Sequence, residues 1–121
     1  MLKRLRHWAQ KLRPSKITVA HGHVFALYRG DVLLGKIVLR AELCDYPWYG
    51  GEFQAEPAFA PFEPLFREEL RLLGEEEMDA WGEVWGQIDD PALTLVSAGS
   101  EAPAESNLQI HIQDGVAWWR A

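Results

Sequence analysis

Residues 32–43 alternate between apolar and polar positions with the period of a β-strand. Leu33, Ile37, Leu39, Ala41 and Leu43 fall on one face, with Gly35 between them, while Lys36, Arg40 and Glu42 fall on the other. The strand is expected to stop near Asp45, because Pro47 has no amide donor and steers Tyr46 away from helical geometry. Gly50-Gly51 then permits backbone angles closed to other residues. From Glu52 to Glu56 the alternation resumes, with Phe53 and Ala55 inward. Two strands flanking such a corner predict a hairpin.

Pro57, Pro61 and Pro64 punctuate the connection to a segment of different period. Phe62, Leu65, Phe66, Leu70 and Leu73 recur at amphipathic helical spacing, with Arg67, Glu68, Glu69 and Arg71 between them and Gly74 at the end. Glu75-Glu76-Glu77 suits the first turn of a second helix, where the helix dipole favours acids. Met78, Trp81, Val84, Trp85 and Ile88 form its apolar stripe. Gly82 and Gly86 weaken it by about 1 kcal/mol each relative to alanine. They share a face, which predicts close approach of another backbone there. Asp89-Asp90-Pro91 closes the helix.

Upstream, Ile17 to Tyr28 reads as a strand that returns through Arg29-Gly30-Asp31. Downstream, Leu93 to Val96 is a short strand, and residues 97–106 form a small, polar loop. Leu108, Ile110 and Ile112 alternate with Gln109, His111 and Gln113, and Asp114-Gly115 is a two-residue hairpin turn signal. Register across that turn sets Ile112 opposite Ala117, Ile110 opposite Trp119 and His111 opposite Trp118. Trp119 then belongs to the core, and Trp118 to the polar face beside His111. The expected fold is α+β: an antiparallel sheet of about five or six strands with two consecutive helices packed on one face. The helices fall between the third and fourth strands. Phe62, Phe66, Leu70, Trp81 and Trp85 are expected to cover Ile37, Leu39, Phe53, Ile110 and Trp119.

Several of these positions carry a resemblance. Pro57-x-Phe59-x-x-Phe62-x-Pro64-Leu65-Phe66-x-Glu68-Glu69-Leu70-x-Leu72-Leu73 follows Pro47-Trp48, and the chain closes on Ile112-x-Asp114-Gly115-x-Ala117-Trp118-Trp119-Arg120. Over most of residues 30–121 this pattern resembles a group of small uncharacterised bacterial single-domain proteins. The resemblance implies a bacterial, cytosolic, single-domain protein and carries over no catalytic residue.

Composition narrows the function classes. A chain of 121 residues predicts one domain, able to bury roughly two-thirds of its unfolded surface. Charge divides it into a basic segment, residues 1–16, and an α+β body, residues 17–121. The segment holds Lys3, Arg4, Arg6, Lys11, Arg13 and Lys16 and no acid, whereas the body sets six basic groups against eighteen acidic ones, a formal charge of −12. So acidic a body argues against nucleic-acid binding, which draws its affinity from cations meeting phosphates, and suits a basic protein partner. A second copy of the chain is the other candidate partner. Leu2, Leu5, Trp8 and Leu12 recur at helical spacing among the cations of residues 1–13. That pattern fits a helix docked on the body or a tail better than contact with anionic lipid. Cys44 is the only cysteine, which excludes an internal disulfide. No apolar run reaches membrane-spanning length, and the basic start lacks the apolar stretch of a signal peptide, so a cytoplasmic protein is expected.

Candidate chemistry is sparse. The chain has no nucleophile elbow, phosphate-cradling loop or paired-cysteine motif. His21 and His23 share a strand face, but zinc needs three or four ligands, and neither a metal nor a cofactor is expected. Cys44 follows the strand face and reads as an inert thiol. The candidate binding residues are Asp45, Trp48, Tyr49 and Glu52 at the corner, with His111 and Trp118 on the terminal hairpin. Two functions compete. One is a non-catalytic protein-interaction module, an adaptor or immunity-like protein with an acidic surface. The other is a small-molecule binder or hydrolase-type enzyme with Asp45 and Glu52 in an aromatic pocket of Trp48, Tyr49, Trp81 and Trp85.

Overall fold

The computed structural model describes residues 22–45, 47–97 and 108–120. The basic segment, the start of the strand expected from Ile17, His21, Tyr46, residues 98–107 and Ala121 lie outside the described residues. Six strands form one antiparallel sheet: β1 (Val24–Arg29), β2 (Val32–Leu39), β3 (Tyr49–Ala55), β4 (Leu93–Ser97), β5 (Gln109–Gln113) and β6 (Val116–Arg120). Their order across the sheet is β4-β1-β2-β3-β6-β5. Two consecutive helices, α1 (Glu63–Gly74) and α2 (Met78–Ile88), sit between β3 and β4, as the two changes of period predict.

The sheet is strongly curled. The rings of Phe25 on β1 and Trp119 on β6 lie 5.5 Å apart, edge to face. Two strands separate them, so in a flat sheet they would stand roughly 14 Å apart. Leu27, Ile37, Leu39, Ala117 and Trp119 line the concave face and are sealed from solvent. Phe53 continues that face onto Phe59, and Phe59 onto Phe66 of α1 and then Trp85 of α2. A chain of aromatic contacts thus ties both helices to the inside of the curl. The terminal hairpin has the register read from its turn, with Ile112, Ile110 and His111 opposite Ala117, Trp119 and Trp118. Asp114 takes a positive φ of 52° and Gly115 one of 76°, the left-handed pair such a turn requires.

Other details differ from the sequence expectation. β2 ends at Leu39, and Ala41 and Leu43 form a 3-10 turn instead of extending the strand. Leu27 pairs with Gly35 but Tyr28 with Leu33, so Leu34 is an extra residue in a bulge, and it takes the buried place expected for Leu33. Ala55 is exposed at the end of β3. Gly50 adopts no left-handed angle. Its role is close approach: a Cβ there would lie 2.1 Å from the Leu43 carbonyl oxygen. Among the described residues, nothing lies within 4 Å of where a Cβ of Gly82 or Gly86 would stand, so no backbone of those residues approaches α2 on that side. Met78, expected in the stripe, is half exposed at 51%.

One unforeseen clamp fixes α2. Arg29 Nε donates to the Ile88 carbonyl at 3.0 Å, and Nη2 donates to those of Gln87 and Asp90. A cation on the last carbonyls satisfies orphan acceptors and complements the helix dipole. The guanidinium also lies over Phe62, 4.5 Å from the ring centroid.

Candidate functional site

The apolar stripe of α1 carries an acid at its centre. Glu69 lies three residues after Phe66 and three before Leu72, and all three are buried. Its carboxylate is fully shielded from solvent. A lone carboxylate there would cost several kcal/mol, so its partners matter. Trp81 of α2 donates its Nε1–H to Oε1 at 2.8 Å, and His111 of β5 meets Oε2 through Nδ1 at 2.8 Å. One side chain of α1 therefore joins α2 to the edge strand of the sheet.

The donor inventory assigns the proton. Trp81 can only donate, and an ionised carboxylate can only accept, so opposite such a carboxylate Nδ1 of His111 carries its hydrogen toward Glu69. In the neutral imidazole that leaves Nε2 with a lone pair. It makes no hydrogen bond among the described residues, yet it is not sealed, because no fully buried side-chain nitrogen or oxygen of those residues lacks a partner. His111 as a whole is only 6% exposed. Its ring contacts two indoles, Trp48 at 5.4 Å and Trp118 at 5.6 Å between centroids. Arg120 lies over Trp48, 5.4 Å from the ring centre, with its Nε donating to Gln109 Oε1 at 2.7 Å. Both tryptophans are half-buried, so part of each indole faces outward.

Three of the six sequence candidates, Trp48, His111 and Trp118, thus come together. The polar hairpin face expected around His111 is instead buried at its centre, because α1 packs against β5 there. The other three candidates separate. Tyr49 stacks on Trp119 on the concave side, whereas Glu52 points to the opposite face and pairs with Arg40 at 3.1 Å. Asp45 is buried in a tight turn whose backbone bonds run both ways to Trp48, at 2.9 and 2.7 Å. Of the four aromatics proposed to line one pocket, Trp48 contacts His111, Tyr49 stacks on Trp119, and Trp81 and Trp85 stack on each other at 5.8 Å. A cleft of about 190 Å³ opens at the β5–β6 tip, floored by Phe53, Phe59 and Ile112 and rimmed by Glu63, Arg67 and Asp114. None of the six candidates lines it.

Glu69 is the site residue that sequence reasoning missed. For Glu69 a signal existed: its place at the centre of the apolar stripe. His23 Nε2 is hydrogen-bonded to the Ser97 hydroxyl, and among the described residues no group of three or more His, Cys, Asp or Glu is placed to hold a metal ion. Cys44 is fully buried, its Sγ directed at the Arg40 and Gly50 carbonyls, and burial pushes its thiol pKa up. Among the described residues no helix is long and apolar enough to cross a membrane.

No family model, curated protein or solved structure matches the chain.

Proposed function

We propose that the protein is a non-catalytic interaction module of the bacterial cytoplasm, and that it meets its partner through the surface made by Trp48, Trp118 and Arg120. One observation carries this reading. Two half-buried tryptophans and an arginine sit together on a rigid base, the Glu69–His111–Trp81 network. Tryptophan and arginine dominate binding hot spots because they combine large desolvated area with directed polar contacts. Rigid anchors lose little entropy on association. The acidic body supports a basic protein as the partner, through steering and exclusion of acidic competitors. The enzyme reading loses its constellation, because Tyr49 and Glu52 face opposite ways and Glu52 is already paired.

Affinity capture tests the reading when wild-type chain and a Trp48→Ala/Trp118→Ala variant are compared in parallel. The expected result is a partner held by the wild type and lost by a variant that still unfolds cooperatively. Light scattering on both chains identifies the case in which that partner is a second copy. A partner retained by the folded variant contradicts the proposal.

A further inference from the structure

We infer that His111 Nε2 is the acceptor of a binding site for a primary ammonium group of the kind a lysine carries. This deepens the contact-surface reading above and rests on it. The nitrogen belongs to a residue 6% exposed, and it is the one polar atom of the Glu69–His111–Trp81 network without a hydrogen bond among the described residues. Glu69 holds Nδ1–H at 2.8 Å, which fixes the ring and leaves Nε2 able only to accept while the imidazole is neutral.

The surroundings choose the donor. Trp48 and Trp118 both contact the imidazole, and indole faces attract cations through the ring quadrupole. The buried carboxylate on the far side of the imidazole favours a positive ligand and repels an anion. A single lone pair suits a compact ammonium, whereas a guanidinium fork needs paired acceptors. Arg120 already lies over Trp48, so that indole holds a cation in this structure. Arg120 is accordingly a competitor of the ligand.

Two sources could supply the amine: a partner's lysine, or Lys3, Lys11 and Lys16 of this chain. The probe is Nα-acetyl-lysine methylamide, titrated at pH 8 into the full-length chain and into the full-length Lys3→Gln/Lys11→Gln/Lys16→Gln variant. The readout is the pair of imidazole nitrogen resonances of His111. The inference expects a saturable shift of Nε2 with the proton retained on Nδ1. It expects binding about three- to tenfold weaker in Trp118→Ala, the loss of one cation–π contact. It also expects tighter binding in Arg120→Gln. The Nε-acetylated probe, which has no charge, should give no saturable shift.

A Nε2 shift on the triple substitution alone, before probe is added, assigns the native amine to this chain. An unchanged resonance there, with a saturable response to probe, assigns it to a partner. No saturable shift in either chain overturns the inference, and so does an equal response to the acetylated probe. These outcomes separate from the broader reading. An amine that binds while the folded Trp48→Ala/Trp118→Ala variant keeps its partner refutes the contact surface alone.

Discussion

Two polar assemblies hold α2, a half-buried one at one end and a buried one at the other, and they are finished differently. At the carboxyl end Arg29 spends its donors on the carbonyls of Gln87, Ile88 and Asp90 and lays its flat face on Phe62. At the other end Trp81 and His111 converge on Glu69, but one nitrogen of His111 has no hydrogen bond among the described residues, and its ring contacts two indoles. The first assembly is closed and serves folding. The second has the same structural duty and one valence to spare. An open acceptor in an otherwise satisfied network is what separates a candidate site from a clamp.

The largest difference should appear when Glu69 is replaced. Glu69→Ala strands the Trp81 indole N–H and the His111 Nδ1–H in an apolar setting, and should cost about 3–5 kcal/mol in urea unfolding. Glu69→Gln keeps an acceptor for Trp81 and should cost less, about 1–3 kcal/mol. A loss below 1 kcal/mol for the alanine variant would mean that the network does not join α1, α2 and β5. At the other end Arg29→Ala should cost about 2 kcal/mol, with Arg29→Lys no real rescue, because a point cation cannot reach three carbonyls as the guanidinium fork does. Full rescue by lysine would reduce the clamp to a charge effect.

The fold was legible where a period or a turn encoded it. The change from alternation to helical spacing at Phe62, and Asp114-Gly115 in the last hairpin, set the element order and the terminal register correctly. Both assemblies were hidden for one physical reason. Arg29 and Glu69 are charged residues, which the pattern assigns to solvent, yet each is drawn inward by groups distant in sequence: helix-end carbonyls for Arg29, an indole and an imidazole for Glu69. The candidate site was half legible. Trp118 opposite His111 follows from register, whereas the arrival of Trp48 depends on the turn from Asp45 to Trp48. The bulge at Leu34 was invisible because neighbouring leucines leave the alternation unmarked.

A smaller effect probes the corner that carries Trp48. Cys44 lies beside it with a thiol pKa raised by burial, so the neutral thiol is favoured in the folded chain. The associated stability is full below the thiol's ordinary range and is lost as pH climbs above it toward the raised value. A Cys44→Ser/wild-type comparison of melting temperature between pH 7 and pH 10 should show only the wild type losing this contribution. In native conditions Ellman's reagent should react at the rate of opening; a reaction as fast as with free cysteine would place the thiol at the surface.

The smallest change concerns the outward side of α2. Gly82→Ala should stabilise the chain by about 0.5–1 kcal/mol, since the helix gains propensity and the new methyl meets nothing among the described residues. Destabilisation instead would reveal a backbone packed there, and α2 would be held on three sides.

The contrast between a closed clamp and an open one rests on where the His111 proton sits. Long-range nitrogen–proton NMR of the unliganded chain at pH 8 reads this directly. The expected spectrum shows a protonated Nδ1 hydrogen-bonded to Glu69 and an unprotonated Nε2. A proton on Nε2 with a bare Nδ1 would contradict it, because Glu69 would then have to donate and the open acceptor would not exist.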